Sequence, residues 1–272
     1  MIFCSSKGRK MDYTKAICLH DKKEIESFLR RNVYLHIYGI GDLDDFFWPY
    51  TTWYAWKEDK EIQAIALLYS GRAFPVLHAL SEASSTQRLV QSILHLLPCR
   101  FHAHLSTGVE NALKEKYKII SHGKYHKMAL NNKSLLYDVD CSQVIQLQSK
   151  DLDKILQLYK EGYPGNWFDT KMLETKQYFG IRKESKLVSI AGIHVYSEKY
   201  KVASLGNIVT HPDYRGDGLG KSVTARLCQS LSEKVDHIGL NVKSDNEIAI
   251  SMYKRLGFEI IDSYWEYTVE LK

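Results

Sequence analysis

The stretch GNIVTHPDYRGDGLGKSVTARLC, from Gly206 to Cys228, decides how the second half of this chain folds. Its first part is apolar and β-branched, as is typical of a buried strand. Pro212 ends that strand, because proline has no N–H to donate to a neighbouring strand. Three glycines follow, at Gly216, Gly218 and Gly220. An apolar stripe with helical spacing then begins, which consists of Leu219, Val223, Leu227 and Leu231.

The glycine segment between this strand and this helix is suited to binding an anion. Without side chains in the way, backbone N–H groups can approach a phosphate closely, and the N-terminus of a helix adds partial positive charge. Arg215 and Lys221 flank the glycine segment and carry positive charge themselves. The order of strand, glycine loop and helix therefore predicts a phosphate-binding site.

Composition restricts the class of protein. The chain has 272 residues, 44% of them hydrophobic, and 18 tyrosines, which indicates a well-filled globular core. No apolar run approaches the ~20 residues of a membrane span, and residues 1–10 lack the apolar segment of a signal peptide.

The five cysteines are dispersed and odd in number, so we expect reduced thiols in a cytoplasmic protein. The histidines lack metal-ligand spacing, so no metal is expected. The net charge of +5 is not concentrated in a basic block, so nucleic acid is not a favoured partner.

The two halves of the chain have the same predicted order of strands and helices. Lys114–His122 aligns with Arg255–Ser263 at a constant offset, which favours an internal duplication. The polar residues 131–134 form the predicted linker. We therefore predict an N-terminal domain at 1–131 and a C-terminal domain at 135–272.

The first half differs from the second where chemistry is expected. It has EASSTQR, Glu82–Arg88, where the second half has its glycine segment, and Ala112 where the second half has Tyr253. The first half is therefore predicted to be a degenerate copy, with the chemistry retained only in the second.

Two local predictions concern the first half. Tyr38–Asp45 contains two glycines and three aspartates and is predicted to be a loop. Tyr117–Ile120 and Tyr125–Leu130 are predicted to be strands that pair with each other.

Two segments of the second half together resemble a known family. Arg215-x-x-Gly218-x-Gly220, after a strand that ends in Thr-His-Pro, is similar to motif A of the GNAT superfamily of N-acetyltransferases. Asn246-Glu-Ile-Ala-Ile-Ser-Met-Tyr253-Lys-Arg-Leu-Gly257-Phe resembles the family's second segment. The two-part layout is also similar to the glycine N-acyltransferase-like branch. The resemblance covers about residues 140–272 and implies an α/β (α+β) fold: two tandem GNAT-like domains, each a curved mixed sheet flanked by helices.

The resemblance implies acetyl-CoA as co-substrate and a set of residues that hold it. The backbone of the glycine segment would bind the pyrophosphate, with the side chain of Asp217 facing solvent; this segment is Arg215, Gly216, Asp217, Gly218, Leu219, Gly220, Lys221 and Ser222. The pantetheine arm would bind to the strand residues Ile208, Val209 and Thr210 and to Asn246. A free N–H of Ile208 or Val209 would stabilise the oxyanion. Tyr253 would protonate the departing thiolate.

The general base is left open by the sequence. Many relatives have a glutamate on the strand before the glycine segment, and this chain has Gly206 and Asn207 there. A water relay through Asn207, an acceptor that is already neutral, or a carboxylate from elsewhere would each remove the proton. The candidate carboxylates are Asp42, Asp44, Asp45 and Glu174.

The resemblance implies an N-acetyltransferase that acts on a small-molecule or peptide amine, as a monomer or homodimer and without a membrane. Trp167 and Phe168 are expected to border the acceptor cleft. A CoA-binding sensor or scaffold without catalysis is the alternative, and a nucleic-acid-associated module is a weaker one.

Overall fold

The computed structural model describes residues 15–71 and 74–272. The start of the predicted N-terminal domain, the predicted absence of a signal peptide and the thiol of Cys4 lie outside these ranges. Cys18, Cys99, Cys141 and Cys228 are free thiols. Across the described ranges, no helix has the length and apolarity needed to cross a membrane.

Twelve strands and six α-helices make up the described regular structure, apart from short 3₁₀ segments. The strands are β1 Lys15–Leu19, β2 Thr51–Glu58, β3 Glu61–Tyr69, β4 Val76–Ala79, β5 Arg100–Leu105, β6 Tyr117–Leu130, β7 Ile145–Gln146, β8 Phe179–Lys183, β9 Lys186–Ser197, β10 Val202–Thr210, β11 His237–Lys243 and β12 Phe258–Leu271. The helices are α1 Lys22–Leu29, α2 Ile37–Asp42, α3 Ala83–Ile93, α4 Leu152–Gly162, α5 Leu219–Ser232 and α6 Glu247–Arg255.

The strands form a single mixed sheet in the order β1-β2-β3-β4-β5-β12-β6-β11-β10-β9-β8-β7. Most neighbours are antiparallel, but β4 pairs with β5, and β10 with β11, in parallel. Each half of the chain thus contributes one parallel pair, preceded by antiparallel strands. In each half a helix connects the parallel strands, α3 in the first and α5 in the second.

The last strand of each half lies beside the other half's strands. β12 pairs with β5 of the first half, and β6 pairs with β11 of the second. β6 and β12 also pair with each other over almost their full length. This exchange joins the two predicted sheets into one, and the division at 131–135 stays a prediction. The consequence for the site is that side chains from β12 stand among those of the first half.

The prediction of a loop at Tyr38–Asp45 is wrong, because α2 covers most of this segment. Its glycines serve close packing: a Cβ on Gly41 would collide with the side chain of Val195, and one on Gly39 would lie 3.3 Å from the ring of Trp53. Helix α2 therefore packs directly against the sheet of the second half. This contact depends on tertiary structure and is not visible in local composition.

The prediction of a strand pair at Tyr117–Ile120 and Tyr125–Leu130 is also wrong. Both segments belong to the continuous strand β6, and each pairs with β12 instead. The polar residues between them bend the strand at Gly123, which has a φ of 103°, and do not turn the chain back. Two extended segments that are adjacent in sequence form a hairpin only when no distant strand competes for their hydrogen bonds. Here β12 pairs with both segments.

Candidate active site

A cleft opens where β10 and β11 separate. Their parallel ladder runs from Val202 opposite His237 to Leu205 opposite Leu240 and stops there. Beyond that point β11 continues along β6, and β10 continues along β9. Within the described residues, no strand pairs with the other edge of β10 from Gly206 to Thr210. Backbone groups on that edge have no strand partner there. Binding of the pantetheine arm to Ile208, Val209 and Thr210 stays a prediction.

A β-bulge at Asn207 produces this separation. The register of β10 on β9 shifts between Gly206 and Val209, and Asn207 has a φ of 54°. Asparagine tolerates this left-handed conformation better than most residues because its short polar side chain can hydrogen-bond locally. The bulge re-aims the strand just before the glycine segment.

The Asn207 side chain is almost fully buried and its contacts hold the bulge. Its Oδ1 accepts from the backbone N–H of Trp167 at 3.2 Å, and its Nδ2 donates to the Tyr178 hydroxyl at 3.0 Å. The Tyr159 hydroxyl donates to its carbonyl at 2.8 Å. Both ends of the amide are thus engaged with protein, and the residue positions the strand. The predicted water relay through Asn207 stays a prediction.

The glycine segment has the open backbone that the sequence predicts. Gly216 and Gly218 have φ of 97° and 76°, in the left-handed region, and a Cβ on either would meet nothing within 4 Å. The side chains of Arg215 and Asp217 are exposed. Arg215 Nε donates to the Thr210 carbonyl at 3.2 Å, which ties the loop to the end of β10. Asp217 therefore faces solvent, as predicted.

Helix α5 begins at this loop without a side-chain cap. Gly218 is its N-cap residue, and it has no side chain that could accept from the first N–H groups. The first intrahelical bond at this end runs from Ser222 N–H to Gly218 O, at 3.1 Å. The N–H groups of Leu219, Gly220 and Lys221 therefore have no partner within the helix. A phosphate is the kind of ligand that such a start binds.

The corresponding start of α3 in the first half is occupied by the protein itself. Glu82 is the N-cap residue of α3, and its carboxylate accepts from the N–H groups of Ser84 and Ser85. Hydrogen bonds from the Ser84 hydroxyl and from these N–H groups lower the pKa of Glu82 to about 2. The first half thus supplies its own anion at the position where the second half leaves its N–H groups free.

Helix α6 lies against the glycine segment and carries the predicted acid. A Cβ on Gly220 would be 3.2 Å from Thr210 Oγ1 and 3.5 Å from Met252 Sδ, so strand, loop and α6 meet at this glycine. Tyr253 follows Met252 and is buried in the core of the second half. Among the described residues its hydroxyl makes no hydrogen bond. Burial, and to a smaller extent Cys228 and Tyr163, raises the pKa of Tyr253.

Asn246 is placed differently from Tyr253. It is the N-cap residue of α6, its Oδ1 accepts from Ala249 N–H at 3.1 Å, and it is exposed. The seven-residue spacing therefore does not put the two side chains in the same environment. Its contact with the pantetheine arm stays a prediction.

A buried polar cluster that the sequence did not single out lies on the face of the sheet covered by α2. It is built from both halves: Tyr38, His78, His104, Lys127, Ser204 and Tyr264. Among the described residues, two buried atoms in it have no hydrogen-bond partner, namely His78 Nδ1 and His104 Nδ1. Buried polar atoms are usually satisfied, so these atoms indicate space for polar ligand or solvent atoms.

Lys127 and Glu266 carry the charge in this cluster. Lys127 Nζ is buried, donates to Asn241 Oδ1 at 3.3 Å and lies 4.9 Å from the ring centroid of Tyr264. Burial lowers the pKa of Lys127 to about 8. The Glu266 carboxylate accepts from the Tyr264 hydroxyl at 2.6 Å and lies 3.5 Å from His104 Nε2. Burial raises the pKa of Glu266.

The carboxylates considered from sequence are engaged elsewhere or lie at the surface. Asp44 accepts from the Ser197 hydroxyl, and Asp45 pairs with Lys22 and Lys199 near the start of β10, at the opposite end from the bulge. Asp42 is buried in α2, and Glu174 is exposed in a 3₁₀ segment.

Trp167 and Phe168 line a pocket of about 600 Å³ at the junction of the halves. The first half contributes Tyr50, Ser70, Gly71 and Phe74, and the second contributes Asn166 to Asp169. The ring of Trp167 also lies 5.2 Å from that of His102. The pocket therefore adjoins both the bulge, through Trp167 N–H, and the strands of the first half.

Residues 144–258 match the model of the acetyltransferase (GNAT) family. An uncharacterised protein of Mycobacterium leprae is 32% identical over 126 residues, which are 42% of this chain and 34% of that protein. This chain thus spans only 34% of that relative's length. The ribosomal protein bS18-alanine N-acetyltransferase of Escherichia coli K12 is 27% identical over 120 residues, 42% of this chain and 79% of the enzyme.

A solved tandem GNAT protein from the clavulanic acid biosynthesis pathway has a similar fold. Its TM-score is 0.53 at 13% identity, over 93% of this chain and 97% of that chain. At this identity the likeness concerns the fold alone. The predicted fold, with tandem GNAT-like halves and a mixed sheet flanked by helices, is confirmed.

Proposed function

Since residues 144–258 belong to the GNAT acetyltransferase family, we propose that this chain transfers the acetyl group of acetyl-CoA directly to an amine acceptor. One observation carries the proposal. The uncapped start of α5, the end of β10 and helix α6, which carries Tyr253, meet at Gly220, whereas Glu82 caps the start of α3 in the first half. The family uses acetyl-CoA as co-substrate, and this cleft fits it.

The fit rests on complementary charge and hydrogen bonding. The free N–H groups at the start of α5 suit a pyrophosphate, and exposed Arg215 adds positive charge beside them. The unpaired edge of β10 suits the amides of a pantetheine arm, which need backbone partners.

Tyr253 would act as the general acid. Because its pKa is raised by burial, the phenol stays protonated across the physiological range and can give its proton to the departing thiolate. Its hydroxyl has no competing hydrogen bond in the described chain. A backbone N–H of Ile208 or Val209 would stabilise the oxyanion.

The acceptor would reach the cleft from the pocket beside Trp167 and Phe168. Its walls are aromatic and come from both halves, and the backbone of Trp167 contacts the bulge directly. The first half would thus shape acceptor specificity without binding the co-substrate.

Two measurements test the proposal. Acetyl-CoA binding is measured by calorimetry, and thiol release is followed with a panel of amines that includes amino acids, peptide N-termini and lysine side chains. Tyr253→Phe should bind acetyl-CoA normally and release thiol about 100-fold more slowly. Tyr137→Phe, at an exposed tyrosine, is the matched control.

The outcomes separate the candidate functions. Absence of acetyl-CoA binding overturns the proposal. Binding without thiol release for any amine would instead favour a CoA-binding sensor or scaffold.

A further inference from the structure

Glu266 was not among the residues that the sequence singled out. It lies 3.5 Å from His104. His102, two residues earlier on β5, shares that face of the sheet, and its ring lies 5.2 Å from that of Trp167 beside the bulge. We propose that Glu266 is the general base that removes a proton from the acceptor amine, supplied to the second half's site by a strand paired with the first half. This inference rests on the proposed function and adds the residue that the strand before the glycine segment lacks.

The strand exchange places the carboxylate. Glu266 is on β12, opposite His104 of β5 on one side and Gly123 of β6 on the other. Its side chain is 23% exposed, so water and ligand atoms reach it. The Tyr264 hydroxyl donates to one of its oxygens, at 2.6 Å to Oε1. Tyr125 also hydrogen-bonds to Glu266, so the carboxylate is oriented by two tyrosines while remaining partly accessible.

Tyr163 is electrostatically coupled to both proposed groups. It follows α4 directly and is exposed. Its hydroxyl interacts electrostatically with Tyr253, and the carboxylate of Glu266 interacts with it in turn. A single hydroxyl is therefore within electrostatic range of both the proposed acid and the proposed base. The acceptor amine and a relay water would occupy the space between them.

The groups around Glu266 set its proton affinity. On β6 these are His122, Tyr125 and Lys127. Burial raises the pKa of Glu266. Hydrogen bonds from Tyr264 and Tyr125, together with His122 and Lys127, only partly offset this. A general base works best when its pKa lies near the working pH. A raised pKa therefore makes the carboxylate a stronger base, and the carboxylate stays ionised at any pH above that pKa.

Residues on other elements complete the surroundings. Tyr38 of α2 and Tyr163 lie toward the cleft, and His102 and His104 lie on β5. Burial lowers the pKa of His104 to about 3, so this histidine is neutral and does not compete as the proton acceptor at neutral pH. His102 has a lowered pKa as well. Glu266 is the carboxylate among these groups.

The proton balance closes without any further reactant. Glu266 takes one proton from the protonated amine through a water and later releases it to solvent. The free amine attacks the thioester carbonyl, the N–C bond forms and the C–S bond breaks. The thiolate takes the phenolic proton of Tyr253, and the second amine proton returns to Tyr253 through water.

The test compares pH profiles of kcat/KM. Glu266→Gln keeps an oxygen that accepts from Tyr264, so the fold and acetyl-CoA affinity should be unchanged. We expect kcat/KM to fall about 100-fold or more at neutral pH and the acid limb of the profile to disappear. Glu270→Gln, on the same strand and paired with Arg100, is the matched control and should match the wild type.

A second variant tests the same carboxylate through its neighbour. Lys127→Met removes the positive charge that lowers the pKa of Glu266, so the acid limb should move to higher pH. If the acid limb of the kcat/KM profile is unchanged in Lys127→Met, the proposal is overturned. This variant is the deciding test if Glu266→Gln does not fold.

The experiments distinguish a wrong assignment of Glu266 from a wrong assignment of the acetyltransferase function. If the wild type transfers acetyl groups and Glu266→Gln does so equally well with the same profile, the base is elsewhere and the function stands. If the wild type binds acetyl-CoA but acetylates no amine, both proposals are overturned.

Discussion

Gly218→Glu should give the start of α5 the arrangement found at the start of α3. There the carboxylate of Glu82 occupies the free N–H groups of the helix. Gly218 holds the same N-cap position, and a Cβ there points into open space. The new carboxylate would therefore reach the N–H groups without displacing protein atoms, and it would occupy the position proposed for the pyrophosphate.

The magnitude follows from two separate terms. A side chain at the φ of 76° costs about 1–2 kcal/mol of folding stability, equally for Ala and Glu. Repulsion between a carboxylate and a phosphate about 4 Å apart is about 1 kcal/mol in water and about 4 kcal/mol at the effective dielectric near a protein surface. Gly218→Glu should therefore bind acetyl-CoA between about 5-fold and 1,000-fold more weakly than Gly218→Ala.

Calorimetry on the two variants isolates the electrostatic term, because both have the same backbone strain. Thermal unfolding of each variant checks that the stability loss is equal. Added salt should narrow the difference in affinity, since the carboxylate is exposed. Equal affinity of the Glu and Ala variants for acetyl-CoA would show that the pyrophosphate does not bind at the start of α5.

Three further outcomes are expected. Glu82→Ala should lower the melting temperature at neutral pH, and because the folded-state pKa of Glu82 is depressed to about 2, this difference should vanish as the pH falls from about 4.5 towards 2, as measured by calorimetric scans. Gly192→Ala should lower the free energy of unfolding in urea by about 1–3 kcal/mol, because the added methyl collides with the ring of Tyr178, a supporting contact of the bulge. Asn207→Ala should destabilise the protein by about 1 kcal/mol more than Asn207→Gly, since both lose the amide contacts but only alanine is strained at this φ; equal losses in urea unfolding would refute that reading.

The N-termini of α3 and α5 occupy corresponding places in the two halves but differ in what binds their N–H groups. The first half satisfies its N–H groups with its own carboxylate, and the second leaves them for a ligand. The start of α3 is therefore satisfied without a ligand. The first half also contributes β5, which pairs with β12, and α2, which packs against β9.

The sequence by itself determined the glycine segment, the helix that follows it and the position of Tyr253. These are local properties. Left-handed backbone at Gly216 and Gly218 favours glycine. The apolar spacing of a helix involves only residues that are close together in the sequence. The exposed side chain of Asp217 follows from the same local reasoning.

Only the tertiary structure decided the strand exchange and which residues surround Glu266. β12 pairs with strands far away in sequence, and an apolar, alternating strand does not specify its partner when distant strands compete for it. The same holds for α2, whose glycines serve contacts with Trp53 and Val195 and look like loop residues when read locally. The backbone groups of the proposed co-substrate site come from one segment, whereas the polar cluster around Glu266 is assembled from both halves of the chain, which share one sheet.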